Sequence, residues 1–469
     1  MHKISFTNGE IKKVIYAPHN SLLSNVLSGD DVNIEHPCGG RGSCKKCEAI
    51  VNGESVLSCQ YKVISDIEVY IPSPLNIATA NLSNESEHTT NNMCLCFDIG
   101  TTTLVLALVS LDEKRIIKSV THNNPQRAFA ADVMSRIDYA TKNGVELLHQ
   151  KVITELKSMM NELFESMNIS HVNTLYVAGN TTMLHLFFGV SCSSMGYAPY
   201  TPAFLNSKSV PAESLGIANV DRIISIEGIS AFVGADIVSG LIYVMPPTKK
   251  KYNLLIDLGT NAEVVLYSDD ALYCTAAAAG PCFEGVNISC GMSATKGAIY
   301  SYSGQRYLTI DGGNPKGICA TGLIDIVSIL ISSQIIDETG FMEDGIYEIA
   351  DKISLTQNDI RQFQLAKSAI HSAVSALIKK AQITSDDIDK VFVSGGFSSK
   401  MNIGNAIKVG LFPKQFQGKI QAVNNSCLLG LVEYACEKVD TSHFLKNAEY
   451  VDLAKDAYFQ DLFIENMMF

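Results

Sequence analysis

Cys38, Cys44, Cys47 and Cys59 follow the spacing C-x5-C-x2-C-x11-C, the first three inside the stretch PCGGRGSCKKC. Thiolates hold iron well, and a cluster under a loop needs backbone N–H groups turned toward its sulfurs. Gly39, Gly40 and Gly42 permit that turn by adopting positive φ. Structural zinc would call for two separated C-x2-C pairs, and Cys59 has no near partner, so zinc and unligated core cysteines are the lesser readings. A second chemistry lies further along. FDIGTTT and IDLGTNAE each end an apolar run in an acid, Asp98 and Asp257, followed by a tight turn of glycine and hydroxyl or amide residues. Polyphosphate needs close backbone approach and N–H donors. Gly100, Thr101, Thr102 and Thr103 can supply them in one copy, and Gly259, Thr260 and Asn261 in the other. A Mg²⁺ ion that keeps its waters could be held through them by Asp98 and Asp257. One such turn alone is as readily a plain turn, whereas two in matching contexts point to a site. In VFVSGGF, residues 391–397, the missing side chains of Gly395 and Gly396 let an adenine or ribose lie against the backbone, although alone it also reads as a strand-to-helix turn.

The composition narrows the partners. The chain has 469 residues, 46% of them hydrophobic and 18% charged, which is ordinary for a globular protein of two or three domains. Its net charge of −12 argues against nucleic acid or an anionic membrane as partner, since both need a basic field. The first residues lack the basic start and apolar run of a signal peptide, and no apolar run approaches a bilayer span. The chain reads as cytoplasmic, where thirteen cysteines are better explained as ligands or core than as disulfides.

The elements that must position these groups fall into sections. Residues 1–80 read as a small, mostly β unit: KISF, the turn TNGE and IKKVIY as a hairpin, Ser21 to Leu27 as a short helix, DIEVYIP as a closing strand. Residues 81–92 are polar and aperiodic, a flexible linker. Two lobes follow, 93–245 and 246–445, each with an apolar strand ending in Asp, a Gly-Thr turn and a returning strand, then a strand running into a Gly turn and a helix. This is an internal duplication of pattern, with a cleft between the halves. Thr356 to Ala381 carries the clearest helical signal, with a Thr356/Asp359 capping box. Ile318 to Ile336, with Asp325 inside it, reads as a buried amphipathic helix. Residues 446–469 are a weakly patterned tail to which nothing is assigned.

The order of the three nucleotide elements resembles the acetate kinase, sugar kinase, Hsp70 and actin superfamily. The cysteine spacing is one residue longer than the plant-type pattern but resembles [2Fe–2S] ferredoxin domains, which have a β-grasp fold. Further stretches narrow the resemblance to one branch: NNPQRAFAADVMSRI (123–137), AGNTTMLHL (178–186), AFVGADIVSG (231–240), AAAAGPCFEG (276–285), KGICATGLID (316–325) and QNDIRQFQLAKSAI (357–370). These are similar to the ATP-dependent reductive activators of corrinoid proteins. The resemblance implies an α/β chain, with an N-terminal β-grasp [2Fe–2S] domain ahead of a duplicated actin/Hsp70-like (ribonuclease H-like) two-lobed ATPase. It implies a [2Fe–2S] cluster, ATP and Mg²⁺ as cofactors. The implied partners are a corrinoid protein of a methyltransferase system, a low-potential donor such as a ferredoxin or flavodoxin, and a second copy of the chain. Relatives of this kind often carry a larger linker region, of which only the short Ser/Asn-rich tether is present here.

Several residues keep two readings. Asp236 and Glu263 orient an attacking water or brace loops. Asp132 and Arg136, four apart, pair on a helix surface or serve the site. His185 reads as a core histidine, Lys367 as a snorkelling surface lysine, and Cys94, Cys96, Cys192, Cys274, Cys282, Cys290, Cys319, Cys427 and Cys436 as core packing. The chemistry that joins the two parts is reduction of Co(II) to Co(I). Each 59 mV of deficit in a one-electron couple is about tenfold in equilibrium, so ATP-driven closure must make up the difference. Two other classes stand beside this one: a small-molecule kinase with a redox-sensing appendage, and a non-catalytic ATP-gated electron carrier or sensor.

Overall fold

The computed structural model describes residues 1–8, 11–29, 47–70, 92–244 and 251–469. Cys38, Cys44, the loop glycines and the linker 81–91 lie outside them. The N-terminal unit is a five-stranded sheet ordered Ile11–Ala17, His2–Asn8, Ile67–Tyr70, Glu48–Val51, Glu54–Leu57. The expected hairpin pairs along its full length, from His2 opposite Ala17 to Asn8 opposite Ile11. Alternation sends Ile4, Phe6, Ile15 and Ala17 inward, where helix Leu23–Gly29 covers them with Leu23 and Leu27. That helix begins two residues later than anticipated, because Ser21–Leu22 pairs with Lys62–Val63 first. The closing strand lies parallel to the first, which completes the β-grasp arrangement.

The duplication is one of topology. One sheet runs Arg115–Asn123, Thr103–Ser110, Met93–Ile99, Val172–Gly179, Val220–Ser225, and the other runs Leu272–Ala277, Ala262–Tyr267, Tyr252–Leu258, Ile388–Ser394, Ile420–Ala422. In each, the strand ending in Asp is central. Its hairpin partner is antiparallel, and the later strand on its other side is parallel. A central strand covered on both faces must be apolar throughout, as MCLCF and NLLI are. A short edge strand is added to each sheet, Ser209–Pro211 beside Val220–Ser225 and Ala448–Tyr450 beside Leu272–Ala277.

Two helices join the lobes. Ala235–Val244 leads from the first lobe toward the second sheet. Ser426–Glu437 follows the last strand of the second sheet, yet packs into the core of the first lobe. They cross closely: a Cβ on Gly430 would fall 1.6 Å from the Ser239 carbonyl oxygen, and Ser239 Oγ donates to Cys427 O at 2.6 Å.

Helix Gln357–Lys380 forms with the predicted capping box, Thr356 accepting from Asp359 N, and Ala320–Ser332 is the buried helix that carries Asp325. The unassigned tail is structured. Helix Ala457–Glu465 packs on Gln357–Lys380; Gln364 Nε2 donates to Met467 O at 2.7 Å, and Asn466 Nδ2 to Ser372 Oγ at 3.0 Å. Lys367, expected at the surface, is 2% exposed. Its ammonium bonds Met468 O under the Phe469 ring, and burial pushes it down to about 8. The docking is also apolar: Leu453 joins the core of the second lobe, and Phe459, Phe463 and Phe469 pack against it. No helix among the described residues is long and apolar enough to cross a membrane.

Candidate active site

Four acids converge from the two lobes. Asp98 lies near the end of Met93–Ile99, and Asp257 holds the matching place in Tyr252–Leu258. Glu263 is directly opposite Asp257 across the antiparallel pair, which puts both on one face. Asp236 stands in the first turn of Ala235–Val244. Their electrostatics show their closeness. Burial, then the Asp257 charge, pushes Asp236 up to about 7. Burial, then Asp98, pushes Asp257 up to about 6. Glu263 is raised well above the usual range by burial, Asp236 and Asp257. Asp98 is raised by burial, against hydrogen bonds from Cys427 and Asn425. Crowded carboxylates of this kind are relieved by a cation. Among the described residues no group of three His, Cys, Asp or Glu side chains is arranged to hold an ion directly.

The Gly100–Thr103 turn is braced from behind by Asn124, Arg136 and Asn180, of which the sequence had marked only Arg136 as a residue that could serve the site. Asn124 Nδ2 donates to Gly100 O at 2.8 Å, Arg136 Nη2 to Thr101 O at 2.6 Å, and Asn180 Nδ2 to Thr101 Oγ1 at 2.9 Å. The surface pairing of Asp132 with Arg136 is thereby corrected. Asp132 instead caps helix Val133–Asn143 through Ser135, and Arg136 is fully buried. In the second turn Gly259 N donates to Asn261 O at 2.9 Å, and Thr260 Oγ1 bonds Glu284. Gly395 has φ +113°, and a Cβ there would meet Leu258 O at 2.2 Å. Only glycine fits where the adenosine turn crosses the end of the Asp257 strand. Around Gly396 there is open space. The Phe397 ring lies 5.4 Å from that of Phe283, which precedes Glu284.

The other candidates sort differently. His185 is a core histidine, its Nδ1 2.7 Å from Thr181 O, its Nε2 accepting from Ala203 N at 3.0 Å, its ring stacked on Phe204. Cys427 is buried, and burial followed by the nearby Asp98 charge raises its thiol. Cys290 and Cys436 are only partly buried. In the N-terminal unit Cys47 and Cys59 are buried and free, with Sγ atoms 3.2 Å apart. Burial beside Cys59 pushes the Cys47 thiol up to about 11. Two facing buried thiols fit a soft-metal group that would take them as thiolates.

Residues 93–245 match the model of the RACo middle region, and residues 251–469 match that of the C-terminal domain of RACo, the ASKHA domain. The chain belongs to the RACo family. The middle region thus carries Asp98 and Asp236, and the ASKHA domain carries Asp257 and Glu263, so the acid cluster is assembled from both. The RACo-type ASKHA domain makes this an ATP-binding chain. It is 25% identical to the corrinoid activation enzyme RamQ of Eubacterium limosum, over 98% of each chain. It is also 25% identical to the [Co(II) methylated amine-specific corrinoid protein] reductase of Methanosarcina barkeri, over 71% of this chain and 68% of that one. A solved structure, a reductive activator for corrinoid, iron–sulfur protein, superposes with a TM-score of 0.71 at 26% identity, covering 100% of this chain and 98% of that one. The alignment with the E. limosum protein runs over 586 positions, more than the 469 residues here, so that relative carries segments this RACo-family chain lacks.

Proposed function

We propose that this protein is an ATP-hydrolysing reductive activator that returns the Co(II) corrinoid of a methyltransferase system's corrinoid protein to Co(I). The observation that carries the reading is the four-acid cluster drawn from both lobes of a RACo-family ATPase. Asp98 and Asp257 would hold the nucleotide's Mg²⁺ through its waters, and the ion would offset the crowded charge. The turns at Gly100 to Thr103 and Gly259 to Asn261 offer N–H donors to the phosphates, and the turn at Gly395 and Gly396 takes the adenosine. Asp236, with its affinity for a proton near neutrality, is placed to take the proton of the attacking water, with Glu263 as the neighbouring acid. Hydrolysis then yields ADP and phosphate in a cleft whose two walls are different lobes.

The coupling is conformational. Moving an equilibrium from 1:99 to 99:1 takes about 5.5 kcal/mol of differential binding, which lobes closing on nucleotide can supply to one state of the corrinoid protein over another. A [2Fe–2S] cluster on Cys38, Cys44, Cys47 and Cys59 would supply one-electron chemistry, and a ferredoxin or flavodoxin is the fitting donor. The acidic surface suits a protein partner in the cytoplasm rather than nucleic acid or an anionic membrane, and a homodimer follows the family pattern.

The test is anaerobic. The protein is mixed with a Co(II) corrinoid protein and a low-potential reductant, and Co(I) absorbance is followed with and without Mg-ATP. Growth of Co(I) only with ATP, lost in Asp257→Ala, supports the reading. ATP consumption that yields a phosphorylated metabolite and no Co(I) would replace it with the kinase alternative.

A further inference from the structure

Three consecutive residues at the joint between the lobes touch both halves of the nucleotide site. Asn425 lies between strand Ile420–Ala422 of the second sheet and helix Ser426–Glu437, which packs into the first lobe. Its Oδ1 accepts from Leu428 N at 2.8 Å, capping the helix, and its Nδ2 donates to Asp98 Oδ2 at 2.9 Å. To make both bonds the backbone adopts φ 40°, ψ 66°, a left-handed conformation that asparagine tolerates better than most residues. Ser426 Oγ meets Ser394 Oγ at 2.8 Å, at the end of the strand that enters the Gly395 turn. The Cys427 thiol next in the chain is raised by burial and then by the nearby Asp98 charge.

We infer that Asn425 is a positioning residue that fixes the Asp98 carboxylate for the nucleotide's Mg²⁺ from the joint with the opposite lobe. The inference rests on the ATP site described under Proposed function. A carboxylate on the end of a strand is free to rotate about χ2. Nδ2 pins Oδ2 at 2.9 Å and so restrains that rotation. Because the pinning group belongs to the segment leaving the second sheet, a shift of the Ser426 helix during lobe closure moves the Asp98 carboxylate with it. Metal affinity and lobe position are therefore linked through one amide, while Ser426 and Ser394 tie the same segment to the adenosine turn.

A helix cap alone would account for Oδ1 but not for Nδ2, and one substitution separates the two. Asn425→Asp keeps a good cap and tolerates the left-handed backbone, but replaces the donor to Asp98 with an acceptor. In the full-length protein, calorimetric titrations with Mg-ATP and with ATP in EDTA are compared. Mg-ATP affinity is expected to fall by about tenfold to a hundredfold, the range for losing a hydrogen bond to a charged group. The affinity for metal-free ATP falls less than that for Mg-ATP, and the thermal melt at neutral pH drops, since the new carboxylate faces Asp98. Should Asn425→Asp fail to fold, Asn425→Gly retains the backbone conformation and loses the same donor, with the same Mg-specific loss expected. Equal Mg-ATP affinity in wild type and folded variant, or an equal loss with and without metal, would overturn the inference while leaving the ATP site standing. Wild-type protein that bound no nucleotide would overturn the ATP reading, and this inference with it.

Discussion

Arg136 Nη2 donates to the carbonyl of Thr101 at 2.6 Å, so the phosphate turn of the first lobe is held from behind by a guanidinium with no exposed surface. The same group donates to Ala130 O at 3.0 Å and Gln126 Oε1 at 2.9 Å. Burial pushes it down to about 9. Fixed positive charge behind a phosphate turn favours an anion in front of it.

Arg136→Met is therefore expected to weaken the fold and the site together. Buried acceptors left without donors cost about 1–3 kcal/mol each, so the urea midpoint should drop by an amount worth roughly 3 kcal/mol. Saturating Mg-ATP should recover less stability than it gives the wild type. An unchanged midpoint would mean that water replaces the guanidinium and the brace is dispensable.

The acid cluster predicts an inverted pH dependence for the nucleotide-free protein. Asp236 and Asp257 take up protons at about 7 and about 6 in the fold, against about 3.9 in the unfolded chain. Between pH 4 and 7 the folded state thus binds more protons, and stability falls as pH rises. His122, raised by Glu155, works in the same direction, so the measurement is a difference. Asp236→Asn should melt higher than wild type at pH 7.5 and equal to it near pH 4, while losing ATP hydrolysis. Mg-ATP should flatten the wild-type slope. A variant that melts lower at neutral pH would show that Asp236 is stabilising as an anion.

How far the sequence showed this site depends on the distance over which each signal acts. The Asp-Gly-Thr turns, the Gly-Gly turn and the Thr356 capping box are local patterns, and each forms where the residues imply. Arg136, Asn425, Cys427 and Lys367 were misread or passed over because their partners are Thr101, Asp98 and Met468, distant in the chain. Nothing in the spacing of Asp132 and Arg136 tells an exposed ion pair from a helix cap beside a buried brace. The tail was passed over for another reason: Phe459 and Phe463, four apart, and Phe469 pack against the core of the second lobe, but in so short a segment that spacing is a weak signal.

The crossing of the lobe-joining helices gives a steric prediction. Gly430→Ala would drive a Cβ into the Ser239 carbonyl, backbone against backbone, with no flexible side chain to yield. Overpacking costs typically 1–3 kcal/mol and more where the backbone must move. The expected outcome is a melt lowered by several degrees and ATP turnover lost out of proportion to stability, because the helices that move with the lobes are splayed. Gly395→Ala should act differently, with loss of nucleotide affinity and a smaller change in melting, since its collision is confined to the backbone of Leu258 beside the Gly395 turn. Equal ratios of turnover to stability in the two variants would mean that the crossing has no part in closure.

The N-terminal unit gives the last prediction. Cys47 and Cys59 present Sγ atoms 3.2 Å apart in a buried setting that pushes the Cys47 thiol up to about 11. Loading iron and sulfide must deprotonate them and make ligation part of the folding energy of this small unit. Removing iron with a chelator is expected to let the freed thiolates take up protons and to lower the melt of the N-terminal unit alone. Cys59→Ser should abolish the visible absorption of the cluster and Co(I) formation, while Mg-ATP binding in the lobes persists. Loss of nucleotide binding in Cys59→Ser would show instead that the two parts fold as one, and that the thiol pair supports the ATPase by structure rather than by electron transfer.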